Sequence, residues 1–338
     1  MSRVAKFAKF TRALALGGAL VAASGSAMAA STLCVFDLLG ASGDASNLMK
    51  DYKLAAAKWG VDFELKSYTD EHVAAEDFKA GQCDAVFLTG LRAREFNFFT
   101  GSIDSLGAVP NYADMKLVLA TLSEPKAARL MVSGNYEIAG VTPFGAAYLF
   151  VNDRSINNVS KLSGKKIAYL DYDKAQNKMI QKVGAQGVAS DITNFAGKFN
   201  NGSVDIIGAP AAAFKPLELY KGLGKKGAIA DFPVIQLTYQ LVIRKDKFPA
   251  DLGQKSRAWI DQQYDRAMAL INTSEKQIDA KYWMKIPQAD KDKYVVLLRD
   301  SRISLTQDGI YDKRMMAVLR KIRCSTDPAN AECSQTLE

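Results

Sequence analysis

Apolar and polar positions fall into two alternating patterns along this chain. Over 62–68, apolar Phe63 and Leu65 alternate with charged Glu64 and Lys66, which predicts a half-buried strand. Mainly apolar stretches flank it and predict strands over 35–39 and 83–89, the latter built on the apolar run 85–88, the length of strands buried on both faces. Helical spacing fills the gaps. One helix is predicted over 45–59 after the Gly40-Ala41-Ser42-Gly43-Asp44 turn, and a second over 72–80, closed by Gly81. Strand, helix, strand, helix, strand predicts an α/β fold with a parallel sheet covered on both faces. In such sheets ligands sit beyond the carboxyl ends of the strands. The loops 40–44 and 89–94 therefore top a site, with Ser42, Asp44, Thr89 and Arg92 as candidate contacts.

A second unit of the same kind begins near Lys161. It predicts a strand over 165–170, a helix over 174–183, and a strand over 204–207 that runs into Gly208-Ala209-Pro210. The run 233–243 is long enough to cross back. Two such units, one inserted in the other, imply two lobes with a cleft between them. Lobe 1 takes residues 30–143 with returning segments from 243–338, lobe 2 takes 144–242, and hinges lie near 144–148 and 237–242. Over 250–285 there is no proline and one early glycine, and Trp259, Tyr264, Met268, Ile271, Ile278 and Trp283 recur at roughly helical spacing. A helix of about 30 residues would run roughly 45 Å, so it must bridge both lobes or break.

Composition adds an address. Residues 1–29 carry Arg3, Lys6, Lys9 and Arg12 with no acid, then an apolar run over 13–23 and the small-x-small site Ala27-Met28-Ala29. These are the parts of a secretory signal cut after about Ala29, and they predict a periplasmic protein that is not embedded in the membrane. Removing those four bases from 44 leaves 40 against 36 acids, a surplus too small to suggest nucleic acid. Hydrophobic residues at 48% against 24% charged exclude a disordered chain. The even set Cys34, Cys83, Cys324 and Cys333 suits an oxidising compartment. If the strands opened by Cys34 and Cys83 are parallel neighbours, the two thiols fall within disulfide reach. Cys324 and Cys333 would then close a short loop in the polar tail.

Catalytic constellations are poorly supplied. The one histidine, His72, sits in a polar stretch at a helix start and reads as a solvated surface residue. The glycine-rich 222–227 segment lacks phosphate-loop spacing and reads as a basic turn. Asp171-Tyr172-Asp173 is too slight for a metal site, so no metal, cofactor or enzymatic role is expected. What converges instead is a set of aromatic and polar residues suited to a small molecule: Phe144 and Tyr148 on the first crossing, and Tyr169, Asp171 and Tyr172 after the first strand of lobe 2. Pro210 and Phe214 follow the next strand, and Tyr239 and Gln240 lie on the return crossing.

From Leu33 to about Lys321 the chain resembles type II periplasmic solute-binding proteins, closest to the TRAP-transporter (DctP-like) group. The resemblance rests on the order of several loose motifs: Phe78-Lys79-Ala80-Gly81-Gln82-Cys83-Asp84, Leu162-Ser163-Gly164-Lys165-Lys166-Ile167, Gly202-Ser203-Val204-Asp205, and Phe248-Pro249 before the long helix. It implies a two-lobed fold with a helix spanning both lobes, a solute held in the cleft, and delivery to an inner-membrane permease. Three polar ligand contacts of that group fall on alanines here. Its G-F-R element matches Gly145-Ala146-Ala147, its carboxylate-clamping arginine matches Ala168, and its asparagine matches Ala209. Alanine cannot replace a bidentate guanidinium, so a bulkier, more aromatic or cationic solute is expected, unless Arg92 or Arg94 serves from the other lobe. Relatives in this group are also labelled RND-type efflux components. Without the many membrane helices of a pump, that implies at most a periplasmic accessory acting through protein contacts.

Overall fold

The computed structural model describes residues 30–335, so the expected signal segment 1–29 lies outside the described residues. Leu33, Cys34, Val35 and Phe36 are all buried, which places β1 (Ser31–Phe36) inside the sheet and not at its rim. It runs parallel between β2 (Phe63–Tyr68) and β3 (Ala85–Thr89). β2 is one of the sheet's two outer strands, and its alternating pattern reflects that: Phe63 is buried, while Glu64 and Lys66 face water. The connecting helices are α1 (Asp44–Ala57) and α2 (Glu71–Lys79). The Asp70 carboxylate starts α2 by accepting the N–H groups of His72 and Val73, and His72 itself is exposed.

After β3 come two single turns, α3 (Gly90–Ala93) and α4 (Phe98–Gly101), then α5 (Tyr112–Ser123) and the short β4 (Val132–Ser133). The chain then crosses on β5 (Tyr136–Val151). The second unit is β6 (Lys166–Leu170), α6 (Lys174–Lys182), β7 (Gln186–Ser190), α7 (Phe195–Asn200), β8 (Ile206–Pro210) and α8 (Tyr220–Leu223). β9 (Ala228–Arg244) carries the chain back. The strand order is β2-β1-β3-β9-β5-β8-β6-β7, so a single sheet runs through both lobes, with β5 and β9 at its centre. The second lobe has its own core, built on Phe150, Phe195, Phe199, Ile207 and Phe214. This is the two-lobed α/β fold the sequence predicts.

The segment expected as one helix over 250–285 spans both lobes but is broken and ends early. It forms α9 (Leu252–Asp261) and α10 (Tyr264–Lys276), separated at Gln262 and Gln263. The break follows from what lies beneath. α9 packs on the lobe-1 half of β5, where Ile260 fills the space a side chain at Gly140 would need, and Arg257 bonds Glu137 and the Ile138 carbonyl. α10 packs on the other half, past a register shift at Pro143/Gly145, so the helix must bend with the strand. Beyond α10 the backbone is claimed by the sheet, where β10 (Trp283–Met284) pairs with β9. Two helices unread in the sequence, α11 (Gln288–Gln307) and α12 (Lys313–Thr326), complete the described chain.

Both expected disulfides are present, Cys34–Cys83 with Cα atoms 5.9 Å apart and Cys324–Cys333 at 5.6 Å. The second holds Glu332 over α11 and α12, where its carboxylate accepts from the buried guanidinium groups of Arg302 and Arg323. The first closes a separation of 49 residues, and loop-closure entropy puts its contribution at about 4 kcal/mol. Replacing both Cys34 and Cys83 by Ala should lower unfolding stability by about that amount, read as a lower urea midpoint with a steeper slope, since the uncrosslinked unfolded chain exposes more surface.

Candidate functional site

Two compartments open between the lobes. The outer one has a volume of about 340 Å³. Asp37, Asp44 and Leu48 wall it at the carboxyl end of β1, and Phe87 rises from β3. Thr142, Pro143, Phe144 and Tyr239 come from the crossing strands, and Ala212, Phe214 and Lys215 from the turn after β8. A face of α10 closes the side with Arg266, Leu270, Ile271 and Ser274. The inner compartment, about 130 Å³, is lined mainly by Leu149, Ile167, Ala168, Ile180, Phe195, Ile235 and Leu237, with Glu71, Thr89, Tyr169, Tyr172 and Gln176 as its polar edge. Phe144 belongs to both walls. Its ring lies 4.3 Å from that of Tyr239, which stacks on Phe87 at 5.1 Å.

The sequence-predicted residues divide among these places. Asp44, Phe144, Phe214 and Tyr239 line the outer compartment; Thr89, Phe144, Tyr169, Tyr172 and Pro210 line the inner one. Five line neither. Ser42 turns its hydroxyl back to the Leu39 carbonyl, and Asp171 is exposed. Tyr148 donates to Glu275 at 2.9 Å, in a cluster where Tyr112 donates to the same carboxylate at 2.7 Å. Gln240 points to the face of β9 opposite Tyr239, where it donates to the Thr100 carbonyl. Arg92 is buried under the Tyr172 ring, its guanidinium 3.5 Å from the ring centroid, and it pairs with Glu95. Asp173 caps α6 through the Ala175 N–H.

Three acidic groups were missed, because burial of an acid leaves no trace in local pattern. Asp37 accepts the N–H groups of Leu39 and Ser46, and burial lifts its carboxyl above the ordinary range despite those bonds. Glu71 is fully buried at the start of α2; it accepts the Thr89 N–H at 2.7 Å and the Tyr172 hydroxyl at 3.3 Å. Desolvation raises its carboxyl, and the Thr89 bonds and the Arg92 charge oppose that. Asp104 is also buried, accepting the N–H and hydroxyl of Thr238 at 2.9 and 2.7 Å. The α10 wall was missed for a different reason. Arg266, Leu270 and Ser274 recur every four residues, a visible stripe, but nothing in the sequence says which way it faces.

Lobe-to-lobe contacts close the inner compartment. Tyr172, from the loop after β6, reaches Glu71 and Arg92 of the first lobe. Arg94 of the first lobe pairs with Asp173 of the second at 3.4 Å, and both side chains are largely buried. Arg94 is held in turn by the Gly101 carbonyl at 3.0 Å. Neither arginine lines either compartment. In the outer wall the buried Thr142 hydroxyl has no hydrogen-bond partner.

The chain matches the family model Solute-binding protein AdeT 1/2 over residues 53–338. It is 52% identical over 300 residues to "Probable solute-binding protein AdeT1" of Acinetobacter baumannii, covering 89% of this chain and 99% of that one. It is 28% identical over 236 residues to "Probable solute-binding protein AdeT2" of the same organism, covering 69% and 98%. Among solved structures, a TRAP periplasmic solute-binding protein from Ralstonia eutropha H16 with bound (S)-2-acetolactate superposes with a TM-score of 0.72 at 12% identity, over 87% of this chain and 98% of that one. One from Haemophilus influenzae with bound L-gulonate also gives 0.72, at 11% identity over 86% and 99%. At such identity the structures share the fold.

Burial pushes the Asp104 carboxyl up to about 7, well above its unfolded value. The unfolded chain therefore loses this proton first, and the group's contribution to stability falls as pH rises from about 4 to about 7. Asp104→Asn can accept the Thr238 N–H through its amide oxygen and donate from its amide nitrogen to the Thr238 hydroxyl, without the charge. Its stability relative to the parent should grow across that interval and level off above it, as measured by urea unfolding at successive pH values.

Proposed function

We propose a transport receptor, from the premise that the chain belongs to the Solute-binding protein AdeT 1/2 family. The protein captures a small organic solute between its lobes in the periplasm, after removal of the signal segment near Ala29, and passes it to an inner-membrane permease of the TRAP type. The observation that carries this reading is the two-part cleft, walled by both crossing strands and closed by side chains that reach from one lobe to the other. Capture and release need no catalysis. Two of the acids at the cleft, Asp37 and Glu71, are committed to backbone and tyrosine donors. The hinge is the β5–β9 pair, where Gly145 adopts φ +115 beside a register shift. No helix among the described residues is long and apolar enough to cross a membrane, so the permease is a separate chain.

A thermal-shift screen of the mature protein against organic acids, aromatic compounds, amino acids and polyamines tests this. A bound solute at about 100 times its dissociation constant adds about 2.7 kcal/mol. Stabilisation should be accompanied by a smaller radius of gyration in solution scattering. Ala212→Trp, which fills the outer compartment from its rim, should abolish both changes. If no solute stabilises or compacts the protein after refolding to strip bound material, the cleft is not a receptor. The alternative, a periplasmic accessory of an efflux or envelope assembly acting through surface contacts, would then take its place.

A further inference from the structure

The inner compartment has a composition unlike the rest of the cleft. Its wall carries no lysine and no arginine, and the one acid in it, Glu71, has both carboxylate oxygens engaged, by the Thr89 N–H and by the Tyr172 hydroxyl. The Arg92 charge lies behind the Tyr172 ring and answers Glu71 and Glu95. Gln176 is spent as well, accepting the Leu170 N–H and donating to Asp173. An anion entering here would meet a buried carboxylate and no free cation, and an ammonium would find the carboxylate already bonded and its charge offset. Burying either charge without a partner costs more than the contacts return. An apolar group meets a wall that is mostly apolar side chains.

Size narrows the class. A cavity of about 130 Å³ is close to the roughly 150 Å³ of an engineered apolar cavity that stays dry and binds benzene. Ala147 and Ala168 make the room: both line the compartment, from β5 and β6 respectively. We infer that the inner compartment is a subsite for one uncharged aromatic or alicyclic ring, with the remainder of the solute lying past Phe144 in the outer compartment. This rests on the solute-binding reading and gives it a ligand class: compounds with an uncharged ring at one end, and not solutes that must bury a carboxylate at both.

The test uses p-xylene and terephthalate, which share a ring and differ in carrying methyl or carboxylate at both ends, so that neither orientation hides the difference. Ligand-observed NMR on the mature protein should show p-xylene binding and terephthalate at least about tenfold weaker. Ala168→Leu fills the subsite from its wall and should reduce p-xylene binding at least about tenfold while the circular dichroism spectrum is unchanged. Ala168→Arg, if folded by the same criterion, should bind terephthalate better than p-xylene. Terephthalate binding as tightly as p-xylene to the parent would overturn the inference, and so would p-xylene binding that Ala168→Leu leaves intact. Failure of p-xylene to bind, while another solute still stabilises and compacts the protein, overturns the ring subsite alone and leaves the receptor reading standing.

Discussion

The antiparallel ladder between β5 and β9 is the constraint on which the rest of the molecule depends. It runs from Tyr136 opposite Arg244 to Val151 opposite Ala228, through the middle of the sheet and from one lobe into the other. A regular ladder of this length would be a stiff plank. This one is interrupted at Ile138/Gly140, Pro143/Gly145, Ala147/Tyr148 and Tyr148/Phe150. Bulges add local twist and release ladder bonds, so the strands can bend where the lobes part. Proline removes a donor at Pro143, and Gly145 takes a backbone conformation that a side chain would resist. α10 lies along this bend and is tied to it by Glu275, which holds the hydroxyls of both Tyr112 and Tyr148. The cleft residues Thr142, Phe144 and Tyr239 sit on the same stretch. In the proposed receptor, binding and hinge would therefore share one set of strands.

Much of the fold was legible because it is written in local patterns. The β1–α1–β2–α2–β3 unit reads from apolar runs and glycines, and the Cys34–Cys83 pair follows once those strands are parallel neighbours. The α9–α10 segment shows the limit. Its periodicity is helical, yet its break at Gln262 and Gln263 is imposed by β5, more than 100 residues away in sequence. The end of the helix at Lys276 is likewise set by β10 joining β9. α11 and α12 were unread since their polar surfaces leave only narrow apolar stripes.

The site was less legible, for a physical reason. Residue type and strand end put Tyr239, Phe144, Tyr172 and Phe214 near the cleft, but partner choice decides which side chains remain available. Arg92 and Tyr148 have the chemistry of ligand contacts and are consumed by Tyr172, Glu95 and Glu275. Gln240 was lost to strand parity, one residue from Tyr239 and on the opposite face. The alanines were the more informative signal. A position where a cation is expected and a methyl stands changes the chemistry of a pocket whatever its neighbours do, and Ala147 and Ala168 do stand in the wall of the inner compartment.

Those same commitments shape how closure would be coupled to solute. A solute shifts an equilibrium only by its differential affinity for the two states. Here Arg94–Asp173, Tyr172–Glu71 and the Arg92–Tyr172 stack join the lobes. Such contacts fix the geometry of the closed state and are the same for every solute, so they cannot discriminate among solutes. Discrimination falls to the walls. For an apolar wall the gain scales with the area removed from water, at about 25 cal/mol per Å², and with how well the shape fills the space. A receptor built this way selects by volume and by exclusion of charge. A guanidinium clamp selects by a bidentate bond. An alanine where the resemblance implies a clamping arginine would thus alter the physical basis of selection.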